Sequence, residues 1–123
     1  MERLYALRGA TQLQEDTPQE MQEKVGTLMN ELFEVNDITS ASVVSIQFTV
    51  TKDLISMNPA TAFRKATGEG SIPLFCSQEP DVEGMPERTV RVMILLYRES
   101  SLGSPRALYH GATTSLRPDI SGE

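Results

Sequence analysis

Arg91 is the residue that most requires a chemical explanation. It interrupts Thr89-Val-Arg-Val-Met-Ile-Leu-Leu-Tyr97, a segment otherwise apolar or Thr and Tyr. A guanidinium there either reaches solvent and pairs with a surface acid, or points into a cleft where an anion must offset its desolvation. Glu79 is the internal candidate for that anion, so a plain Arg91–Glu79 salt bridge competes with an anion-binding Arg91. Arg8 closes an apolar-alternating stretch just before Gly9, a place where strand ends line pockets in α/β sheets; the competing role is a surface Arg. Tyr109 offers either a phenolic donor or buried aromatic filler. Cys76 is the only cysteine, which excludes an internal disulfide and a zinc finger. With no His nearby it reads as a small buried apolar residue rather than a nucleophile. His110 is the only His, which excludes metal or catalytic clusters built on several histidines. Gly68-x-Gly70 is too short for a phosphate loop. This inventory holds no nucleophile–base pair, metal site or cofactor motif. An enzyme made from it works by positioning and electrostatics.

Composition narrows the partners. The chain has 123 residues, room for one domain, with Lys+Arg 11 against Asp+Glu 17 and a formal charge of −6. Nucleic acid is excluded as a main partner, because duplex affinity comes largely from Lys and Arg displacing counterions. No apolar run approaches the roughly 20 residues that span a bilayer, and Met1 to Arg8 lacks the apolar core and cleavage site of a signal peptide. A cytoplasmic, non-membrane protein is expected. Eight of the eleven basic residues are Arg and three are Lys. Arg grips carboxylates in a fixed geometry, so an acidic, Arg-biased chain suggests a local cationic pocket.

The elements that must position these side chains follow from periodicity. Residues 2–8 read as a first strand that stops at Gly9-Ala10-Thr11. Thr17 caps a helix with Pro18 at its first position and Glu20 completing a capping box. Met21, Val25, Leu28, Met29, Leu32 and Phe33 form its apolar face, with Gly26 mid-helix as a sign of close packing. Residues 43–50 read as a strand with Val44, Ile46, Phe48 and Val50 on one face. Asn58-Pro59 starts a second helix that Gly68 ends, with Arg64 and Lys65 in its last turns. Residues 72–76 form a short strand, residues 89–97 a central strand covered on both sides, and residues 107–109 a short final strand. From Arg117-Pro118 on, a flexible polar tail is expected. The order β-α-β-α-β-β-β is mixed α/β with an antiparallel component.

Five segments together carry a resemblance to a known family: Arg8-Gly-Ala-Thr11, Asp16-Thr17, Cys76-Ser-Gln-Glu79-x-Asp81-Val82-x-Gly84, Arg91-Val-Met93 and Leu116-Arg-Pro-Asp119. In this order and spacing the chain closely resembles the monofunctional, trimeric AroH-class chorismate mutases over essentially residues 1–123. The resemblance implies an α+β fold with a mixed sheet and two main helices. It also implies a homotrimer with a pseudo-α/β barrel-like core and active sites between adjacent subunits. The implied reaction is the cofactor-free Claisen rearrangement of chorismate to prephenate in phenylalanine and tyrosine biosynthesis. Carried over by position, Arg91 would stand beside the ether oxygen and Glu79 would bind the ring hydroxyl, while Arg8 and Tyr109 would hold carboxylate oxygens. Cys76 and the backbone around Phe75 would line the pocket, and Arg64 and Arg117 would help cover its mouth. The sequence departs from the family pattern at Asn58, Thr61, Phe75 and Pro80, all around the pocket mouth or the segment carrying Glu79. The alternative reading is a non-catalytic or Rid-like trimer that binds a small carboxylate metabolite, since one fold serves several functions.

Overall fold

Thr17 and Pro18 start the first helix as their types dictate, and the rest of the chain is laid over a single sheet. A computed structural model describes residues 1–115. Its elements are β1 (Glu2–Gln12), α1 (Pro18–Val35), β2 (Val43–Val50), α2 (Pro59–Thr67), β3 (Leu74–Gln78), β4 (Thr89–Glu99) and β5 (Leu108–Tyr109), with short 3-10 turns between some of them. The strand order is β3-β2-β4-β1-β5. Central β4 runs antiparallel to both β1 and β2, while β3 is parallel to β2 and β5 is parallel to β1. This is the expected α+β order, a mixed sheet with two main helices. None of the described helices is long and apolar enough to cross a membrane. Arg117 and the expected tail lie outside the described residues.

The caps hold the helices where the sheet needs them. Thr17 Oγ1 accepts from Glu20 N at 3.1 Å. The Glu20 carboxylate does not return to Thr17, whose own N–H is taken by Glu15 O at 3.0 Å. It accepts instead from Gln14 N and Glu15 N, closing the turn out of β1. Asn58 caps α2 by accepting from Ala60 N at 2.8 Å. Asp16 accepts from Ile55 N and Ser56 N, both at 3.1 Å, and ties the segment before α2 to the start of α1.

Both helices lie on one face of the sheet. Met21, Val25, Leu28, Met29 and Leu32 of α1 and Ala62 and Phe63 of α2 are buried against Leu7, Ile46, Phe48, Val90, Val92, Ile94 and Leu96. The helices touch closely where α1 carries Gly26: a Cβ there would meet Ala66 Cβ at 2.9 Å. Gly26→Ala is therefore expected to destabilise the fold by about 1 kcal/mol, because overpacking of ~1–3 kcal/mol outweighs a helix-propensity gain of ~1 kcal/mol. Urea melts should show this loss, with Ala66→Gly in the same chain restoring part of it; an unchanged midpoint for Gly26→Ala would contradict the close approach.

Four local expectations are corrected by tertiary pairing. β1 does not stop at Gly9 but continues to Gln12, because all eleven residues pair with β4, from Glu2 opposite Glu99 to Gln12 opposite Thr89. Gly9 is needed inside it: a Cβ would meet Leu32 Cδ1 at 2.8 Å and Leu108 O at 3.3 Å, where α1 and β5 press on the strand. Val44 is exposed rather than sharing the Ile46–Phe48 face, since a register shift between Val43 and Ser45 changes the phase of β2. β3 lies two residues later than 72–76, in register with β2 from Ile46 opposite Leu74 to Val50 opposite Gln78. Pro73 lacks an N–H and contributes only its carbonyl, which accepts from Ile46 N at 3.0 Å. Finally, β4 is not covered on both sides of the chain. Its Val90–Leu96 face is buried, but Met93 (38 % exposed) and Tyr97 (46 %) look out on the other, beside Leu4 of β1.

Candidate active site

The uncovered face of the sheet holds a cleft of about 430 Å³, lined by Arg8, Gly9, Gln47, Thr49, Glu79, Arg91, Val92, Met93 and Tyr109. These come from β1, β2, β4 and β5 and from the residue that follows β3, so no single segment of sequence contains the site. Strand alternation explains the choice. With Val90, Val92, Ile94 and Leu96 turned to the helices, Arg91 and Met93 must turn the other way. Register then brings Arg8 opposite Met93 and Thr49 opposite Arg91.

Glu79 leaves the end of β3 with its N–H donating to Val50 O at 2.8 Å. Its side chain is only 7 % exposed and meets Arg91 in a fork: Nε to Oε2 at 2.6 Å and Nη2 to Oε1 at 2.9 Å. Thr49 Oγ1 donates to the same Oε2 at 2.5 Å. The Arg91 guanidinium thus holds the Glu79 carboxyl below the usual carboxylate range, with Thr49 helping and burial opposing. In return the Glu79 hydrogen bond raises the pKa of Arg91, to which Tyr109 adds. The salt bridge foreseen as a competitor to anion binding is present, yet it does not exhaust the guanidinium. Arg91 stays 42 % exposed, and Nη1 has no protein acceptor among the described residues.

Arg8 is exposed on the cleft rim and has no acidic partner among the described residues, leaving its charge for an anion. Tyr109 is only 3 % exposed yet contributes to the cleft wall. Its approach is fixed by buried Asn36, which donates from Nδ2 to Leu32 O and Arg106 O, both at 3.0 Å, and accepts from Arg106 N at 2.6 Å. The next residue, His110, donates its N–H to Ala10 O at 2.9 Å, while its ring faces Glu31 of α1 rather than the cleft. Chemically, the site is an anion-binding hollow: one fixed guanidinium with spare donors, a second cation at the rim and a carboxylate able to accept.

Of the residues singled out in the sequence, the structure brings Arg8, Glu79, Arg91 and Tyr109 together. Arg64 is on α2, on the opposite side of the sheet, and is exposed. Cys76 packs against the helix-side core, where burial pushes its thiol up. Phe75, 66 % exposed, pairs with Gln47 on the open face but stands outside the cleft. Arg117 lies outside the described residues. Thr49 and Gln47 are cleft residues that the sequence reasoning missed. Their signal was present: they are the polar positions alternating with Ile46 and Phe48.

Comparison with known proteins adds an independent line. The family model described as chorismate mutase type I matches residues 4–120. The chain is 33% identical over 118 residues to chorismate mutase AroH of Bacillus subtilis (strain 168), spanning 96% of this chain and 93% of that one. It is 34% identical over 115 residues to chorismate mutase AroH of Thermus thermophilus, spanning 93% of each. Its structure resembles that of a chorismate mutase from Clostridium thermocellum with a TM-score of 0.76 and 33% identity, covering 88% of this chain and 96% of that one.

Proposed function

Because the chain belongs to the type I chorismate mutase family, we propose that the Arg8–Glu79–Arg91–Tyr109 cleft is where it rearranges chorismate to prephenate for aromatic amino acid biosynthesis. The observation that carries this assignment is Arg91, which lines the cleft, is clamped by Glu79 through Nε and Nη2, and has no acceptor for Nη1 among the described residues. The reaction is unimolecular and pericyclic, so it asks for no nucleophile, proton transfer or cofactor. Two effects remain for the protein. It selects the compact diaxial conformer, removing a conformational and entropic cost. It also stabilises the negative charge that grows on the ether oxygen as the C–O bond breaks.

Arg91 suits the second task, because its orientation is set before substrate arrives. Glu79, already ionised, has lone pairs left to accept the ring hydroxyl. Arg8 and Tyr109 take carboxylate oxygens of the dianion, which accounts for cations gathered in one hollow of an acidic chain.

The functional unit in this reading is a homotrimer of one-domain chains acting in the cytoplasm. Two features support the trimer. The sheet face opposite the helices leaves Leu4, Phe75, Met93 and Tyr97 exposed, a patch of the kind that marks a protein interface. Arg64 and Phe75 are exposed and stand away from the cleft of their own chain, which in this reading leaves them for the cleft of a neighbouring copy, whereas the Cys76 side chain packs into its own core. Sedimentation should give three times the 13.6 kDa chain mass.

The activity itself is tested by adding purified protein to chorismate and following the loss of its ultraviolet absorbance. Rapid, saturable loss with prephenate as sole product is expected. A rate equal to that in buffer would refute the assignment.

A further inference from the structure

We infer that Thr49 is a positioning residue for this rearrangement, a polar tether on β2 that fixes Glu79, and through it Arg91, to the sheet; the inference rests on the chorismate mutase reading above. It follows from how the strands are ordered. β2 lies between β3 and β4, so a carboxylate leaving the end of β3 must cross β2 to reach Arg91 on β4. Thr49 is the β2 residue at that crossing, the cross-strand partner of Arg91 and the neighbour of Val50, which accepts the Glu79 N–H. Its hydroxyl donates to Glu79 Oε2 at 2.5 Å, the oxygen that also accepts Arg91 Nε at 2.6 Å.

The tether supplies what the ion pair lacks. A forked guanidinium–carboxylate contact fixes two side chains relative to each other, but both stems are long and rotamer-rich. The pair can swing as a unit over the sheet. Thr is β-branched and stiff about its first side-chain torsion, so its hydroxyl is a donor with a set position in the strand. Among the described residues it is also the only side-chain donor to Glu79 other than Arg91. Its proton is committed to Glu79, which makes it an indirect contributor rather than a catalytic residue. Positional precision of this order matters, since a misplacement of about 1 Å can cost ~100-fold in rate.

The test compares wild-type protein with Thr49→Val, Thr49→Ala and Thr49→Ser, measuring kcat and KM for chorismate across pH with circular dichroism as a check on folding. Thr49→Val is expected to lower kcat by about tenfold or more with a smaller change in KM, as befits lost orientation. The acid limb of kcat/KM should move to higher pH, because Glu79 loses a donor that favours its ionised form. Thr49→Ser, which keeps the hydroxyl, should recover most of the rate and the wild-type limb. Thr49→Ala carries the same expectation as Val and replaces it should Val disturb the strand. Hydroxyl-free variants with wild-type kcat and acid limb would overturn the role of Thr49 alone, as would a Ser variant as impaired as Val. A wild-type protein inert toward chorismate would overturn the underlying assignment as well.

Discussion

Arg91→Ala is expected to slow the rearrangement of chorismate at least about a thousandfold in kcat. Loss of one preorganised donor to a developing oxyanion costs ~2.7–4 kcal/mol, which at ~1.36 kcal/mol per decade is two to three decades. Arg91 supplies a full charge as well as a donor, so its removal belongs at the upper end or beyond. The variant also strands Glu79, 7 % exposed, with Thr49 as its one remaining side-chain donor among the described residues. Breaking a buried pair typically costs ~3–5 kcal/mol of stability. Because Arg91 is 42 % exposed and water can enter, a smaller loss of about 2 kcal/mol is expected. The fold should therefore survive while turnover collapses. Arg91→Lys should not rescue it, since a point charge cannot keep a two-pronged hold on Glu79 and present a further donor to substrate. Initial rates at saturating chorismate, with melting curves beside them, check both halves. Near-wild-type turnover in Arg91→Ala would remove the electrostatic mechanism.

Glu79→Gln should lower kcat/KM by about a hundredfold, the second-largest effect. The amide keeps the shape but gives up one acceptor and the charge that holds Arg91, and hydrogen bonds to charged groups are worth ~1.5–3 kcal/mol each. The pH dependence has a definite sign. Arg91 and Thr49 lower the folded-state pKa of Glu79 below its unfolded value. The resulting stability is complete above the ordinary carboxylate range and is lost as pH falls through the depressed folded value. Wild-type activity should follow the same acid limb, as protonated Glu79 releases Arg91. In Glu79→Gln that part of the acid-side loss in stability should be missing. Urea unfolding from neutral to acidic pH would show the difference, and parallel profiles for the two proteins would contradict it.

The helices and the β2 strand were legible because their signals are local. Thr17-Pro18 and Asn58-Pro59 carry their own capping chemistry, and the Met21–Leu32 stripe declares its period. What was not legible depended on partners distant in sequence. Gly9 looks like a strand end until β4 pairs along its whole length and Leu32 demands the missing side chain. The offset of β3 is set by its register on β2, which no property of residues 72–78 reveals. The site divides the same way. Arg91 was conspicuous as a charge in an apolar strand, and Glu79, Arg8 and Tyr109 entered beside it. Thr49 was hidden because a Thr in a strand is ordinary; only the crossing of Glu79 over β2 gives it a role. The open β4 face also corrects the sequence view, in which an apolar strand implied cover from its own chain.

The central claim is that a guanidinium set in place by Glu79 binds the transition state more tightly than the substrate. Titrating wild-type and Arg91→Ala protein with a bicyclic ether dicarboxylate that mimics the transition state tests it most directly. Wild-type protein should bind the mimic far more tightly than chorismate or a flexible dicarboxylate, and Arg91→Ala should lose affinity by the factor it loses in kcat/KM. Equal binding of mimic and flexible dicarboxylate, or undiminished binding by Arg91→Ala, would contradict the claim.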